Sequence, residues 1–144
     1  MVHKLLTNNQ SCLTSVCKPV KPKDDLSSLI SDMWGVIRDS EQGAGLAANQ
    51  VGALLRVIIV DVQVVRMTVL NPKITKRSEE LVRSEEGCLS HPGKIQYKKR
   101  NKRITLEGFD ANWEPVKRKL KGLPAIVVQH EIDHLNGKTF GGVK

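Results

Sequence analysis

Gln129-His130-Glu131-Ile132-Asp133-His134 closes an apolar run that begins at Leu123 and includes Ala125, Ile126, Val127 and Val128. If Gly122 to Asn136 forms one helix, His130 and His134 stand four residues apart. At about 3.6 residues per turn, that spacing stacks their rings on one face. Two imidazoles so placed can grip one divalent cation from the same side. Glu131 can then reach a water held by that cation, which gives the His-Glu-x-x-His arrangement of metallohydrolases: two ligands, a general base and an open coordination site. The bland alternative is a helix carrying two histidines and ordinary charges. The apolar run before the motif predicts a buried helix, where a glutamate between two histidines is costly unless something compensates it. That favours a metal, with a third ligand to be supplied from elsewhere.

The chain has 144 residues, 40% of them hydrophobic and 26% charged, which suits a single domain over 1–144 with one hydrophobic core. Aromatic residues are only 3%, so Val, Ile and Leu must fill that core. No apolar run reaches the length of a membrane span, and Met1 to Gln10 lacks the apolar centre of a secretory signal. These features predict a cytoplasmic protein with no membrane partner. Three cysteines, Cys12, Cys17 and Cys88, do not suggest a disulfide framework; Cys12 and Cys17 receive no role. The net charge of +8 favours nearness to polyanions. Lys98-Lys99-Arg100 and Lys117-Arg118-Lys119 concentrate it, but Tyr97 alone is interleaved, so a base-stacking surface is not expected. Solvated strand faces are the simpler reading of these charges, and no specific nucleic-acid partner is expected.

The spacing of Leu26, Leu29, Ile30, Met33, Trp34 and Ile37 predicts a helix that follows Asp24-Asp25 and ends near Glu41. Before it, residues 1–23 read as an extended arm. Arg56 to Val65 is β-branched and reads as a buried strand or a tight pair. Met67 to Leu70 reads as a short strand closed by Asn71-Pro72, and Lys73 to Arg83 as an exposed strand. Ile95, Tyr97, Ile104, Leu106 and Phe109 mark further strands of period two, and Asp110-Ala111-Asn112 turns into a strand over 114–121. Asn136-Gly137 ends the histidine-bearing helix. The expected class is α+β: antiparallel sheets wrapped around a central metal-binding helix, with one N-terminal helix.

Gly43-Ala44-Gly45-Leu46-Ala47-Ala48-Asn49-Gln50 follows a helix and leads into a strand, the reverse of a phosphate loop's order. Together with Glu86-Gly87-Cys88-Leu89-Ser90 and Gln129-His130-Glu131-Ile132-Asp133-His134-Leu135-Asn136-Gly137, it resembles the three motifs of the peptide deformylase family. The motifs stand in that family's order, and the general likeness runs from the first helix to Phe140. The resemblance implies Cys88 as the third ligand beside His130 and His134, with water in the fourth position. It implies Glu131 as general base and Gln50 and the Leu89 backbone N–H as oxyanion donors. The implied substrate is a nascent chain beginning with N-formylmethionine, laid along Gly43, Ala44, Gly45 and Leu46 as an added strand and releasing formate. The methionine pocket would be lined by Ala44, Leu89, Leu123, Ile126 and the stems of Glu86 and His130; Gly87 completes the substrate-contacting set. The implied ion is iron(II), with zinc or nickel taking its place in purified protein.

The chain departs from the family's common pattern in three ways. It stops soon after Phe140, where bacterial members usually carry a further helix that can contact the ribosome. The segment between Val57 and Leu70 is short, and Ile95 replaces a basic residue at the pocket rim. This compactness is similar to short, phage-encoded forms. Ribosome proximity would be transient, and monomer is the expected state. Two other readings of the same helix are a zinc endopeptidase and a basic protein with a structural metal. A thiolate ligand weakens the ion as a Lewis acid, against the first; no fourth Cys or His is placed to complete a structural site, against the second.

Overall fold

A computed structural model of the chain describes residues 3–7, 10–41 and 43–138; Phe140, where the family likeness was expected to end, lies outside them. The architecture is α+β. Helix α1 spans Ser27–Arg38 and helix α2 spans Leu123–Leu135. The strands are β1 (Gly45–Ala47), β2 (Val57–Val62), β3 (Val65–Arg77), β4 (Leu81–Gly87), β5 (Ile95–Asn101), β6 (Arg103–Phe109) and β7 (Pro115–Lys121). A five-stranded antiparallel sheet runs β1-β2-β3-β6-β7, and β4 and β5 pair as a separate antiparallel ribbon.

Side-chain alternation divides the large sheet into two apolar faces. Ile58, Val60, Val69, Ile104, Leu106 and Leu120 face α2 and pack with Ala125, Val128, Ile132 and Leu135. Leu46, Val57, Ile59 and Leu70 face the other way and pack with Leu29, Met33 and Ile37 of α1. Helix α2 is therefore central, as expected. Gln129 pins it to the ribbon: its side chain accepts from the Asn101 N–H (3.0 Å) and donates to the Asn101 carbonyl (2.8 Å). Arg56 caps its C-terminus, donating to the Leu135 carbonyl (3.2 Å) and to Asn136 Oδ1 (2.9 Å).

Several local expectations change. Asn71-Pro72 does not close a strand: β3 runs through it to Arg77. Asn71 takes a left-handed φ of 49° and the register with β6 shifts between Leu70 and Lys73, so a bulge absorbs the proline's missing N–H. Arg56 to Val65 is the tight pair: β2 turns at Gln63-Val64 into β3. Lys73 to Arg83 is not one strand but the end of β3, a turn and the start of β4. Helix α1 stops at Arg38, short of Glu41. The described part of the arm packs on the domain, with Leu13 fully buried and the Cys17 N–H donating to the Leu135 carbonyl at 2.8 Å. Cys17, given no role, is a core residue whose thiol burial pushes up to about 11.

Gly108 in β6 is where the bulge and the core meet. A Cβ there would lie 2.7 Å from Val69 Cγ1 and 2.8 Å from the Leu70 carbonyl oxygen. Gly108→Ala should therefore overpack the sheet and cost about 1–3 kcal/mol, read as a lowered midpoint of urea unfolding.

Candidate metal centre

Three elements converge at the C-terminal half of α2. The helix presents His130 and His134 with ring centroids 4.8 Å apart and Nε2 atoms 3.1 Å apart. Cys88, just past the end of β4, brings its Sγ to 3.3 Å from His134 Nε2. The Cys88, His130 and His134 donor atoms all lie within 4.8 Å of one another. From the other side, β1 and the 3-10 turn Ala48–Val51 contribute Gly45 and Gln50. Gln50 is buried, not a surface residue. Its Oε1 accepts from the Ala47 N–H at 2.9 Å, which aims its amide nitrogen at Ser90 Oγ (3.1 Å) and Cys88 Sγ (3.6 Å).

The donor set suits a metal ion on the geometry of this chain. Two imidazole nitrogens and a sulfur point at one another, where at most one proton can be shared between neighbours. Glu131 Oε1 is buried with no hydrogen-bond partner, an acceptor aimed where water or substrate must complete the site. Gly45 leaves room for it, since a Cβ there would come within 2.9 Å of Glu131 Oε2. Burial above all, and then the Glu86 carboxylate, push the Glu131 carboxyl up to about 7, with His130 pulling the other way. Burial disfavours a charged His130 ring, but hydrogen bonds to Cys88 and Glu86 outweigh it and hold its pKa up to about 10. His134 is held well below the usual histidine range by burial and by the charge on His130.

A cavity of about 540 Å³ opens beside this cluster. Gly43, Ala44, Gly45, Gln50, Glu86, Gly87, Cys88, Leu89, Leu123, Ile126, His130 and Glu131 line it, so nearly all the sequence-derived site residues meet there. Two do not line it. His134 sits beneath the wall, and the Leu46 side chain lies in the core under α1, because β1 alternation turns it away from Gly45 and Ala47. Leu46 can serve the cleft only through its backbone.

The sequence model of the family described as polypeptide deformylase matches residues 2–141. This chain belongs to that family. It is 42% identical over 132 residues to the peptide deformylase of Treponema pallidum (strain Nichols), covering 91% of this chain and 81% of that relative. Among solved structures, the peptide deformylase of the Vibrio parahaemolyticus bacteriophage VP16T in complex with actinonin superposes with a TM-score of 0.90 at 41% identity, covering 95% of this chain and 99% of that one. A probable peptide deformylase from Synechococcus phage S-SSM7 gives a TM-score of 0.88 at 40% identity, covering 96% and 97%. As a deformylase, the chain is a metal-dependent hydrolase that removes the N-formyl group from nascent peptides. Among the described residues, no helix is long and apolar enough to cross a membrane.

The deformylase site has a supporting layer that the sequence did not reveal. Arg100, expected in a solvated basic run, is buried. It donates to both Glu86 oxygens at 2.8 Å and also binds Asp133 Oδ2. Glu86 meets His130 Nδ1 at 2.9 Å. Its carboxylate is thus a support for a ring as well as part of the pocket wall, and by holding Nδ1 it turns His130 Nε2 toward His134. Burial would raise Glu86, but hydrogen bonds from Arg100 and His130 outweigh it and hold the carboxyl far below the usual range. Asn49 donates to the His134 carbonyl at 2.6 Å and secures the second histidine's turn of helix. The signal that could have exposed Arg100 is β5's inverted alternation: Ile95 and Tyr97 are 60% and 58% exposed, while Arg100 is 7%.

Removing one partner from this buried network strands the others. Arg100→Ala should cost about 3–5 kcal/mol of stability, measured by thermal unfolding. The Glu86 contribution has a definite sign with pH. Its folded pKa is depressed, so its stabilisation is present above the unfolded value of about 4.3 and is lost as pH falls below it. Glu86→Gln should flatten the acid limb of the stability profile, and an unchanged limb would place the acid sensitivity in other carboxylates.

Proposed function

We propose that Cys88 Sγ, His130 Nε2 and His134 Nε2 hold one divalent ion, iron(II) in the cell and replaceable by zinc or nickel, for hydrolysis of N-formylmethionyl nascent peptides. The convergence of one thiol and two imidazoles beside the buried, unpartnered Glu131 Oε1 is the observation that carries this reading. When bound, such an ion supplies Lewis acidity, polarising the formyl carbonyl and easing deprotonation of water. Glu131 takes a proton from the attacking water at Oε1 and returns it to the departing amine. Burial raises the Glu131 carboxyl, the direction that helps it hold a proton between the two halves of that task. Gln50, its amide held by the Ala47 N–H, and the Leu89 backbone N–H donate to the oxygen that gains charge.

β1 is an edge strand of the large sheet, so its outer side can accept an extended peptide along Gly43, Ala44, Gly45 and Leu46. That pairing lays the methionine side chain toward Ala44, Leu89, Leu123, Ile126 and the stems of Glu86 and His130, with Gly87 at the wall; all of these except Leu46 line the cavity. Pairing through the backbone asks nothing of side chains beyond methionine, which fits a substrate pool as varied as newly made proteins. We take 1–144 as one catalytic domain acting as a cytoplasmic monomer in transient proximity to ribosomes.

The test uses ferrous-loaded protein kept anaerobic, given formyl-Met-Ala-Ser or the unformylated tripeptide. Formate release from the first, with no internal cleavage of either, is expected. Internal cleavage would point to an endopeptidase, and inertness to a structural metal. Glu131→Gln should keep its metal, by elemental analysis, yet lose about 10²–10⁴-fold in kcat. Gln50→Ala should lose about 10²–10³-fold in kcat with little change in KM; a KM effect alone would move Gln50 from charge stabilisation to substrate binding.

A further inference from the structure

The face of the large sheet that α1 covers at β1, β2 and the start of β3 continues uncovered across the end of β3, β6 and β7. Register places its side chains. Lys73 pairs with Glu107 and Glu107 with Lys117; Lys76 pairs with Thr105 and Thr105 with Lys119; Arg103 pairs with Lys121. Paired residues share a face, and it is the face opposite Ile104, Leu106 and Leu120, which point to α2. Lys73, Lys76, Lys117, Lys119, Lys121 and Arg103 are all exposed. Among the described residues, none of the five lysines enters an ion pair; Arg103 alone reaches a carboxylate, Glu80, at 3.4 Å.

Like charges directly across a sheet are destabilising, as for Arg103 and Lys121 here, so the fold carries this lattice at some cost. It is also where much of the chain's +8 excess is spent. We propose that this face docks the phosphate backbone of structured RNA. Lysines at alternate positions of β7 recur about every 6.7 Å, an interval comparable to that between successive phosphates of a strand. No aromatic or large apolar side chain stands among the six cations to stack a base or enter a bilayer, which favours sequence-independent phosphate contact over base readout or membrane insertion. The choice of RNA as the polyanion rests on the nascent-chain reading above, because such substrates emerge from an RNA-rich particle. Lys121 and Leu123 flank Gly122, and Leu123 lines the cleft, so the docking face adjoins the cleft mouth.

The test compares the metal-loaded full chain with Lys117→Glu/Lys119→Glu/Lys121→Glu and with a charge-matched control, Lys18→Glu/Lys21→Glu/Lys23→Glu. A fluorescein-labelled RNA hairpin of arbitrary sequence is titrated at several salt concentrations, alongside phosphatidylglycerol vesicles. The native chain should bind the hairpin with affinity that falls steeply with salt. The β7 variant should bind at least about ten-fold more weakly, with a log–log salt slope shallower by about one unit per lysine lost. The control should keep most of the binding. Turnover of formyl-Met-Ala-Ser should stay the same in all three, which also reports that the variants fold. Equal loss in both variants, no salt-dependent hairpin binding by the native chain, or binding to vesicles but not RNA would each overturn the proposal. Failure of the native chain to release formate would count against the reading of the cleft alone.

Discussion

The structure depends on a triad of charges, the buried Glu86 and Arg100 and the half-buried Asp133, that couples three separate pieces of chain. Glu86 closes β4, Arg100 closes the inner face of β5, and Asp133 stands on α2 between the two histidines. A bidentate guanidinium–carboxylate contact in a buried site tolerates little displacement. Fixing it fixes the ribbon against the helix, and Cys88 follows Glu86 by two positions. The distance between the thiol and the imidazoles is thus set by an ion pair, one member of which, Glu86, also lines the cleft. Its second outlet, from Glu86 to His130 Nδ1, converts the same rigidity into a choice of tautomer.

Much of the site was legible because its chemistry is local in sequence. The four-residue spacing of His130 and His134 needs only a helix to become a pair of ligands, and the buried run before it supplies the helix. Gly45, expected to admit a substrate strand, is also a place of close approach within the chain, where a Cβ would come within 2.9 Å of Glu131 Oε2. What was not legible depends on register. Lys98-Lys99-Arg100 looks uniform, yet β5 turns Arg100 into the protein and Lys99 out to solvent. The apolar residues of the same strand point outward, so a period-two pattern located the strand and reversed its faces. Leu46, expected to serve through its backbone, has its side chain under α1; β1 is short and covered on both faces, so hydrophobicity alone does not tell the cleft side from the α1 side. Asn71-Pro72 misled because backbone far away in sequence holds the kink. Asn71 bonds both the N–H and the carbonyl of Val20, which lets the strand continue through it.

The same dependence on register governs the surface. Composition gave an excess of positive charge and no address for it. Only the pairing of β3 with β6 and β6 with β7 shows that lysines from two distant segments form rows on one face, with Thr105 and Glu107 between them. A helix over those rows would have required apolar residues at the same positions, as the α1 end of that face has Leu70 and Phe109. The change from leucine and phenylalanine to lysine along one face marks where packing stops and solvent begins.

The distribution of protons in the cleft follows from the same scarcity of positive charge inside. Around the two rings, the chain buries Glu86 and Glu131 and places Asp133 and Cys88 beside them, against the buried guanidinium of Arg100 and the more distant ammonium of Lys98 on Asp133. Such an excess of acidic groups in a poorly solvated volume must be offset, and the groups that titrate most easily respond. His130 is driven toward its charged form by the thiol and by Glu86, while Glu131 is driven toward its neutral form by burial. Both shifts add positive charge to the same small region. Cys88, His130 and His134 would hold a divalent cation there, and its charge would offset that excess and favour the ionised form of Glu131, the form that can accept a proton.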